Sequence, residues 1–335
     1  MWYNINMAKD NGFVLLTGTA NLKLAQDVAK ILGKNVDETV SVFADGEKRI
    51  VIPENLRQRA VFIIQPTCPP VDASIMELLL IIDAAKRSSA SEVSAFIPYF
   101  GYSRQDRKDR PRVPISASLI ARLVEFAGAD RILTIDIHSE QEPGFVEIPW
   151  DNLYASYSLL PQLKKHFKPQ NLVVASPDKG GVPKATFYAE LLDAQGFAIV
   201  FKQRDVNKNN ISEALDMMGN VSGKDVLLVD DMIDTAGTIC NAANLIKKRG
   251  AKSVSAVATH GLFSDPALER ITKSALDKIF VTDTIPLKKE MLNSHKVTVV
   301  SVAKLLAEAI KCIYNGDSMS ERLIPKAHRT YTDKV

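Results

Sequence analysis

Val226-Leu-Leu-Val-Asp230-Asp231-Met-Ile-Asp234-Thr235-Ala236-Gly237-Thr238 decides how the chain is read. Val226 to Val229 form an apolar run that reads as a buried strand, and Ile239 to Lys248 have the apolar spacing of a helix. The loop between them is built of Asp, Thr, Ala and Gly. There, Thr hydroxyls, the backbone N–H groups of a Gly-containing turn and the positive end of a helix converge on an anion, best a phosphate. Carboxylates aimed at that anion would repel it. Asp230 and Asp231 are therefore expected to accept hydrogen bonds from sugar hydroxyls or to face a metal ion, and the combination suggests a ribose phosphate. A strand end followed by an N-capped helix is the plainer alternative. It accounts for one Asp and one Thr, not for three Asp, two Thr and a Gly in nine residues.

Outward from this stretch, the chain repeats itself. Ala84-Ala-Lys-Arg-Ser-Ser-Ala-Ser-Glu-Val-Ser-Ala95 lies on Leu245-Ile-Lys-Lys-Arg-Gly-Ala-Lys-Ser-Val-Ser-Ala256 without a gap, each a helix end, a turn and a strand start. Strand-like runs precede both, Ala60 to Gln65 and Asp225 to Val229. Others follow, Asp130-Arg-Ile-Leu-Thr-Ile-Asp136 and Asp277-Lys-Ile-Phe-Val-Thr-Asp283. Strands alternating with helices of this length imply parallel sheets, whose ligands sit at the carboxyl ends of the strands. Two doubly wound α/β domains from a duplication, joined near Tyr154 to Leu163, are the simplest architecture. In the first half, Gln65-Pro-Thr-Cys-Pro-Pro70 takes the place of the acidic loop, and its three prolines lack N–H donors for a phosphate. The halves have diverged in task.

Further constellations lie at other strand ends. Phe43-Ala-Asp45-Gly46-Glu47 reads either as a platform that stacks a nucleobase and accepts from its amino group, or as a hairpin turn with an Asp-Gly pair. Tyr102-Ser-Arg104-Gln105-Asp106-Arg107-Lys108-Asp109-Arg110-Pro-Arg112 packs five cations into nine residues. A triphosphate grip is favoured over a solvated loop or an RNA patch, because Asp106 and Asp109 offset attraction to nucleic acid. His138, beside Asp136 and Glu140, could hold a metal or a phosphate oxygen, although a lone His is more often structural. In Ser176-Pro-Asp178-Lys179-Gly180-Gly181 the Asp is a candidate Mg²⁺ ligand and the glycines permit close approach, while a mere turn also makes sense. Lys202-Gln203-Arg204-Asp205, after a strand Phe197 to Phe201, lacks an apolar stripe. A lid whose cations meet transferred phosphate is one reading, a solvated loop the other.

The totals narrow the classes. At 335 residues two domains are expected. A net charge of +3 does not by itself argue for nucleic acid or membrane. Met1 to Phe13 has no basic stretch followed by an apolar core, so no secretory signal is read there. No apolar run approaches the ~18 residues of a membrane span. Cys68, Cys240 and Cys312 are few, odd in number and far apart, which reads as reduced thiols in a cytoplasmic protein.

Taken together and in this order, Phe43 to Glu47, Tyr102 to Asp109, Asp136-Ile-His138, Ser176-Pro-Asp178, the acidic loop and Thr259-His-Gly-Leu-Phe-Ser264 closely resemble the ribose-phosphate diphosphokinase family, from about Phe13 to Ser320. The resemblance implies two tandem type I phosphoribosyltransferase-like domains, each with a central, mainly parallel sheet flanked by helices: residues 1–155 on the ATP side, 156–310 with the sugar phosphate loop and lid, and 311–335 packing back on the first. It implies that Asp234, Thr235, Ala236, Gly237 and Thr238 hold the 5-phosphate of ribose 5-phosphate, with Asp230 and Asp231 on the ring hydroxyls. Phe43, Asp45, Gly46 and Glu47 would bind adenine, Arg104 and Gln105 would contact ATP, and His138 and Asp178 would hold Mg²⁺. Lys202 and Arg204 would stabilise the transition state, Arg204 also touching the sugar phosphate. A homo-oligomer, hexameric in the family, with phosphate and ADP as effectors, is implied as well. Ala44, Lys179 and Gln203 depart from the family pattern. Asn55-Leu-Arg57 changes its Ser-x-Arg element, while Ser318-Met-Ser320 keeps its Ser-x-Ser. A transferase joining the activated sugar to a nucleobase, and a non-catalytic regulatory subunit, are the competing readings. The first leaves the Phe43 and Arg104 motifs unexplained. The second conflicts with an intact acidic loop.

Overall fold

The computed structural model describes residues 12–36, 39–204 and 213–324. It divides into two compact units. One takes the chain up to Asn152 together with Ala309–Asp317, and the other takes Leu153–Glu308 and the described residues from Ser318. Both are α/β, with parallel-sheet cores flanked by helices.

The first unit contains strands β1 (Phe13–Thr17), β2 (Val40–Val42), β3 (Lys48–Ile50), β4 (Ala60–Ile64), β5 (Glu92–Ile97), β6 (Arg131–Ile135) and β7 (Trp150–Leu153), with helices α1 (Leu22–Leu32), α2 (Val71–Arg87) and α3 (Ser116–Phe126). The main sheet has the order β1-β4-β5-β6-β7; β1, β4, β5 and β6 run parallel. Val61 to Ile64 are buried along their whole length, as a strand covered on both faces must be. On one face, Ile75, Leu78, Ile81, Ile82 and Ala85 of α2 recur at helical spacing and pack over Val61, Ile63, Val93 and Ala95. Each large side chain so buried contributes about 2 kcal/mol relative to exposure. On the other, Phe62 meets Phe13 and Phe96 edge to face, with ring centres 5.4 and 5.7 Å apart. Asn21 caps α1 by accepting from Leu24 N, and Gly33, at φ +65°, ends it. β2 and β3 form a separate antiparallel ribbon.

The second unit contains β8 (Leu172–Ser176), β9 (Gly196–Arg204), β10 (Glu213–Met218), β11 (Asp225–Ile233), β12 (Ser253–Gly261), β13 (Lys278–Thr282) and β14 (Val297–Val300). Its helices are α4 (Ser156–His166), α5 (Val182–Leu191), α6 (Gly237–Lys248), α7 (Ala267–Lys273), α8 (Lys289–Leu292) and α10 (Met319–Leu323), with α9 (Ala303–Asn315) beginning in this unit. The sheet order is β10-β9-β8-β11-β12-β13-β14, and only the β9–β10 pair is antiparallel. From β8 the chain moves to one side for β9 and β10, then to the other for β11 through β14. The switch point between β8 and β11 is where such sheets open a ligand crevice.

Several expectations need adjusting. The two units meet in sequence between Asn152 and Leu153, and the stretch near Tyr154 to Leu163, where the join was expected, carries most of α4, with Leu159 and Leu163 fully buried. The segment from 311 does not go as one piece: Ala309–Asp317 belongs to the first unit, and the described residues from Ser318 to the second. The strand before the acidic loop is nine residues long, because Met232 and Ile233 stay paired with His260 and Gly261 of β12. Asp230 and Asp231 therefore sit on the strand, and α6 starts at Gly237 rather than after Thr238. β9 continues past Phe201 to Arg204, with Lys202 paired to Leu215 and Arg204 to Glu213. The side chains of Lys202 and Arg204, and residues 205–212 of the expected lid, lie outside the described residues. No helix among the described residues is long and apolar enough to cross a membrane.

Candidate active site

In the second unit, β11 outruns its neighbour. Its pairing with β8 stops at Leu228 opposite Ala175, while its pairing with β12 continues to Ile233. Beyond that point β11 carries Asp230 and Asp231, and Asp230 feels the charges of Asp231 and of Asp178 in the loop after β8. Asp231 N donates to Asp230 Oδ1 at 2.9 Å. Burial, then the neighbouring charge of Asp231, then that of Asp178, push the Asp230 carboxyl up to about 8. A proton, a donor hydroxyl or a cation relieves such a site, and a free anion does not. The Asp178 loop closes on itself: Ser176 Oγ donates to the Asp178 carbonyl at 2.6 Å, and Gly181 N donates to Asp178 Oδ1 at 2.9 Å. A Cβ on Gly181 would lie 2.8 Å from Ser176 Oγ, so a larger residue there would displace the Ser176 hydroxyl from the Asp178 carbonyl.

Past Ile233, Ala236 takes a left-handed φ of +59°, and no side chain caps α6 behind it. The first N–H groups of a helix have no partner within it, so an anion at this loop meets donors and the helix dipole together. Arg270 of α7, which sequence reasoning missed, braces the loop by donating to the Thr235 carbonyl at 2.9 Å. Leu262 and Phe263 N both donate to the Ile233 carbonyl, so the Thr259–Ser264 motif secures the strand end. His260 within it is buried, its Nδ1 2.9 Å from Thr284 Oγ1.

In the first unit, the segment after β5 is tied to the loop after β4. Gly101 N donates to Thr67 Oγ1 at 2.6 Å, and a Cβ on Gly101 would lie 2.5 Å from the Thr67 carbonyl. Tyr102 has φ +66°, and its hydroxyl donates to Asp72 at 2.7 Å. Arg104 is exposed, whereas Gln105 Oε1 accepts from Ser116 Oγ at 2.7 Å, at the start of α3. Arg107, Lys108, Arg110 and Arg112 are exposed. His138 lies in the loop after β6, where Asp136 has φ +45°. Ser103 joins the two loops by accepting from His138 N at 3.2 Å and donating to Glu142 Oε1 at 2.5 Å. Nothing at the sequence level singled out Glu142, which has no solvent exposure. Burial pushes its carboxyl up to about 7, against the pull of Ser103 and His138.

The Phe43 stretch is the turn of the β2–β3 ribbon. Phe43 N donates to the Glu47 carbonyl and Gly46 N to the Phe43 carbonyl, both at 2.9 Å, and Asp45 Oδ1 accepts from Glu47 N at 3.1 Å. Gly46 supplies a φ of +95°. The Phe43 ring is 50% exposed, with the Arg49 guanidinium 5.9 Å from its centre, so an aromatic face is presented outward. The two candidate Mg²⁺ ligands divide between the units, His138 in the first and Asp178 in the second. Among the described residues no three His, Cys, Asp or Glu side chains form a ready metal site. Mg²⁺ is commonly held by one or two protein groups plus substrate phosphates and water, and Asp178 beside Asp230 and Asp231 fits that mode.

Known proteins resemble the chain along most of its length. Residues 13–128 match the family model of the N-terminal domain of ribose phosphate pyrophosphokinase. Residues 206–323 match that of the phosphoribosyl synthetase-associated domain. The ribose-phosphate pyrophosphokinase of Wolinella succinogenes is 49% identical over 314 residues, covering 93% of this chain and 99% of that one. That of Burkholderia pseudomallei is 47% identical over 315 residues, covering 93% and 98%. The crystal structure of phosphoribosylpyrophosphate synthetase from Mycobacterium smegmatis is similar with a TM-score of 0.85 at 38% identity, covering 91% of this chain and 99% of that one.

Proposed function

The chain belongs to the ribose-phosphate pyrophosphokinase family, and from that premise we infer that it moves the β,γ-diphosphoryl group of MgATP to ribose 5-phosphate. The products are 5-phosphoribosyl 1-diphosphate and AMP. The observation that carries the reading is the β11–α6 junction, where a carboxylate pair on a strand end meets an uncapped helix start across a left-handed residue. A sugar phosphate satisfies both. Its 5-phosphate takes the N–H groups and hydroxyls of Asp234 to Thr238, and its ring hydroxyls donate to Asp230 and Asp231.

In the reaction, the C1 hydroxyl oxygen attacks the β-phosphorus. A bond forms between them, the α–β bridging bond breaks, AMP departs with the bridging oxygen, and the hydroxyl proton is lost. No covalent nucleophile of the chain is needed, so positioning and charge neutralisation dominate. Phe43, Asp45, Gly46 and Glu47 hold adenine, Arg104 and Gln105 the phosphates, and Lys202 and Arg204 the charge that develops in transfer. His138 of the first unit and Asp178 of the second are each a candidate ligand for Mg²⁺, which would neutralise phosphate charge. Homo-oligomerisation and control by phosphate and ADP belong to the same reading; sizing chromatography and rates with either effector test them. A nucleobase-joining transferase would not need the first unit's sites, and the match over residues 13–128 counts against it.

The test is incubation with ribose 5-phosphate and MgATP. Phosphoribosyl diphosphate and AMP should appear in equal amounts, and Asp230→Asn with Asp231→Asn should abolish both. Absence of AMP from the intact protein would overturn the assignment.

A further inference from the structure

The two units share a strand register that reveals how their crevices differ. Phe13 pairs with Ala60 as Leu172 pairs with Asp225. Counting along each strand, Thr19 takes the place of Asp178 and Gln65 that of Asp230. In the second unit this crevice holds the carboxylate cluster. In the first it is filled by one side chain from α2, Glu77, which is only 1% exposed.

Four donor groups converge on that carboxylate. Oε2 accepts from Thr19 N at 2.9 Å, from Thr19 Oγ1 at 2.9 Å and from Gln65 Nε2 at 3.0 Å. Oε1 faces Lys48 Nζ at 2.9 Å. A Cβ on Gly18 would lie 2.7 Å from Oε2, so the backbone approaches as closely as a glycine allows. Burial would raise the Glu77 carboxyl, but Thr19 and Lys48 outweigh it and hold it below its usual range.

Lys48 opens β3. The β2–β3 ribbon has three residues in each strand and pairs with no other sheet, and so small a hairpin does not hold its shape alone. Val40 and Ile50 pack on the core, and Thr39 Oγ1 donates to the Thr17 carbonyl at 2.8 Å. These contacts fix its base. Lys48, immediately after Glu47, fixes the end that carries the turn.

We propose that Glu77, acting through Lys48, is a positioning residue that holds the Phe43–Glu47 turn in place to receive the nucleotide base. The former ligand crevice of the first unit has become an internal anchor, its ligand replaced by a carboxylate of the chain itself. The proposal rests on the reading of the ribbon as the adenine platform, and its test separates the two.

Initial rates are measured for Glu77→Gln, Lys48→Met, the double variant and Phe43→Ala, varying ATP at saturating ribose 5-phosphate and the reverse. Each anchor variant should raise KM for ATP about tenfold. Values of kcat and KM for ribose 5-phosphate should stay within about twofold. The double variant should be no worse than the worse single one. Amide exchange at Phe43 and Gly46 should quicken while β4 and β5 keep their protection. If Phe43→Ala raises KM for ATP and the anchor variants do not, the anchor is refuted and the nucleotide platform stands. If Phe43→Ala leaves KM for ATP unchanged, the platform reading fails and the proposal with it. Equal rises in both KM values also overturn it, since they indicate general loosening. Lys48 is partly exposed, so its variant still decides the matter should Glu77→Gln fail to fold.

Discussion

Glu142 is fully enclosed, and its Oε2 has no hydrogen-bond partner while Oε1 accepts from Ser103. Its carboxyl is raised from 4.5 to about 7 by burial. The folded state thus binds a proton more tightly than the unfolded chain. This contribution is fully present below about pH 4.5 and is lost as pH rises to about 7, a change of about 3 kcal/mol. Glu142→Gln keeps an acceptor for Ser103 and cannot ionise. Its melting temperature should match the parent near pH 4.5 and exceed it above pH 7, by calorimetry across that range. An equal offset at both ends would show that ionisation of Glu142 is not involved. Residues of this kind were illegible in the sequence. Asp230 and Asp231 stand beside a Gly-Thr loop and mark a candidate site in the sequence, whereas Glu142, Glu77 and Arg270 have their hydrogen-bond partners 39, 58 and 35 residues away.

At the scale of elements, apolar runs located the strands, since a strand covered on both faces must be apolar throughout. Their ends were not legible. β11 runs through two aspartates because its β12 partner continues beside it, and β9 runs through Lys202 because β10 folds back on it. Pairing with a neighbour overrode local polarity at both places. The result bears on the proposed lid cation. With its backbone in a ladder, Lys202→Ala should preserve β9 and remove only the charge. If Lys202 acts in the transition state, kcat should fall about a thousandfold. MgATP binding, measured by calorimetry without sugar, should be nearly unchanged. A parallel loss of affinity would instead place Lys202 in the ground-state grip. The ribbon turn at Phe43 was legible as an Asp-Gly hairpin, but its attachment to α2 through Lys48 and Glu77 was not.

Across the molecule, the duplication read from two short alignments extends to hydrogen bonds. Asp130 N donates to the Val93 carbonyl and Asp130 Oδ2 accepts from Val93 N; Asp277 and Val254 exchange the same pair. Against this shared frame the difference between the halves has a physical origin. The first sheet grows in one direction from β1, and its crevice is filled by Glu77. The second reverses direction beside β8 and keeps a crevice. Ligands should therefore stabilise different segments when added separately. At a hundredfold excess over Kd a ligand adds about 2.7 kcal/mol to whatever must open to release it, slowing exchange there about a hundredfold. Ribose 5-phosphate alone should slow amide exchange from Asp230 to Ile239. A non-hydrolysable MgATP analogue alone should slow it at Phe43 to Glu47 and at Arg104 and Gln105. Protection of the Phe43 turn by the sugar phosphate alone would contradict the division of labour, because Glu77 already engages Thr19, Gln65 and Lys48 in the first unit's crevice.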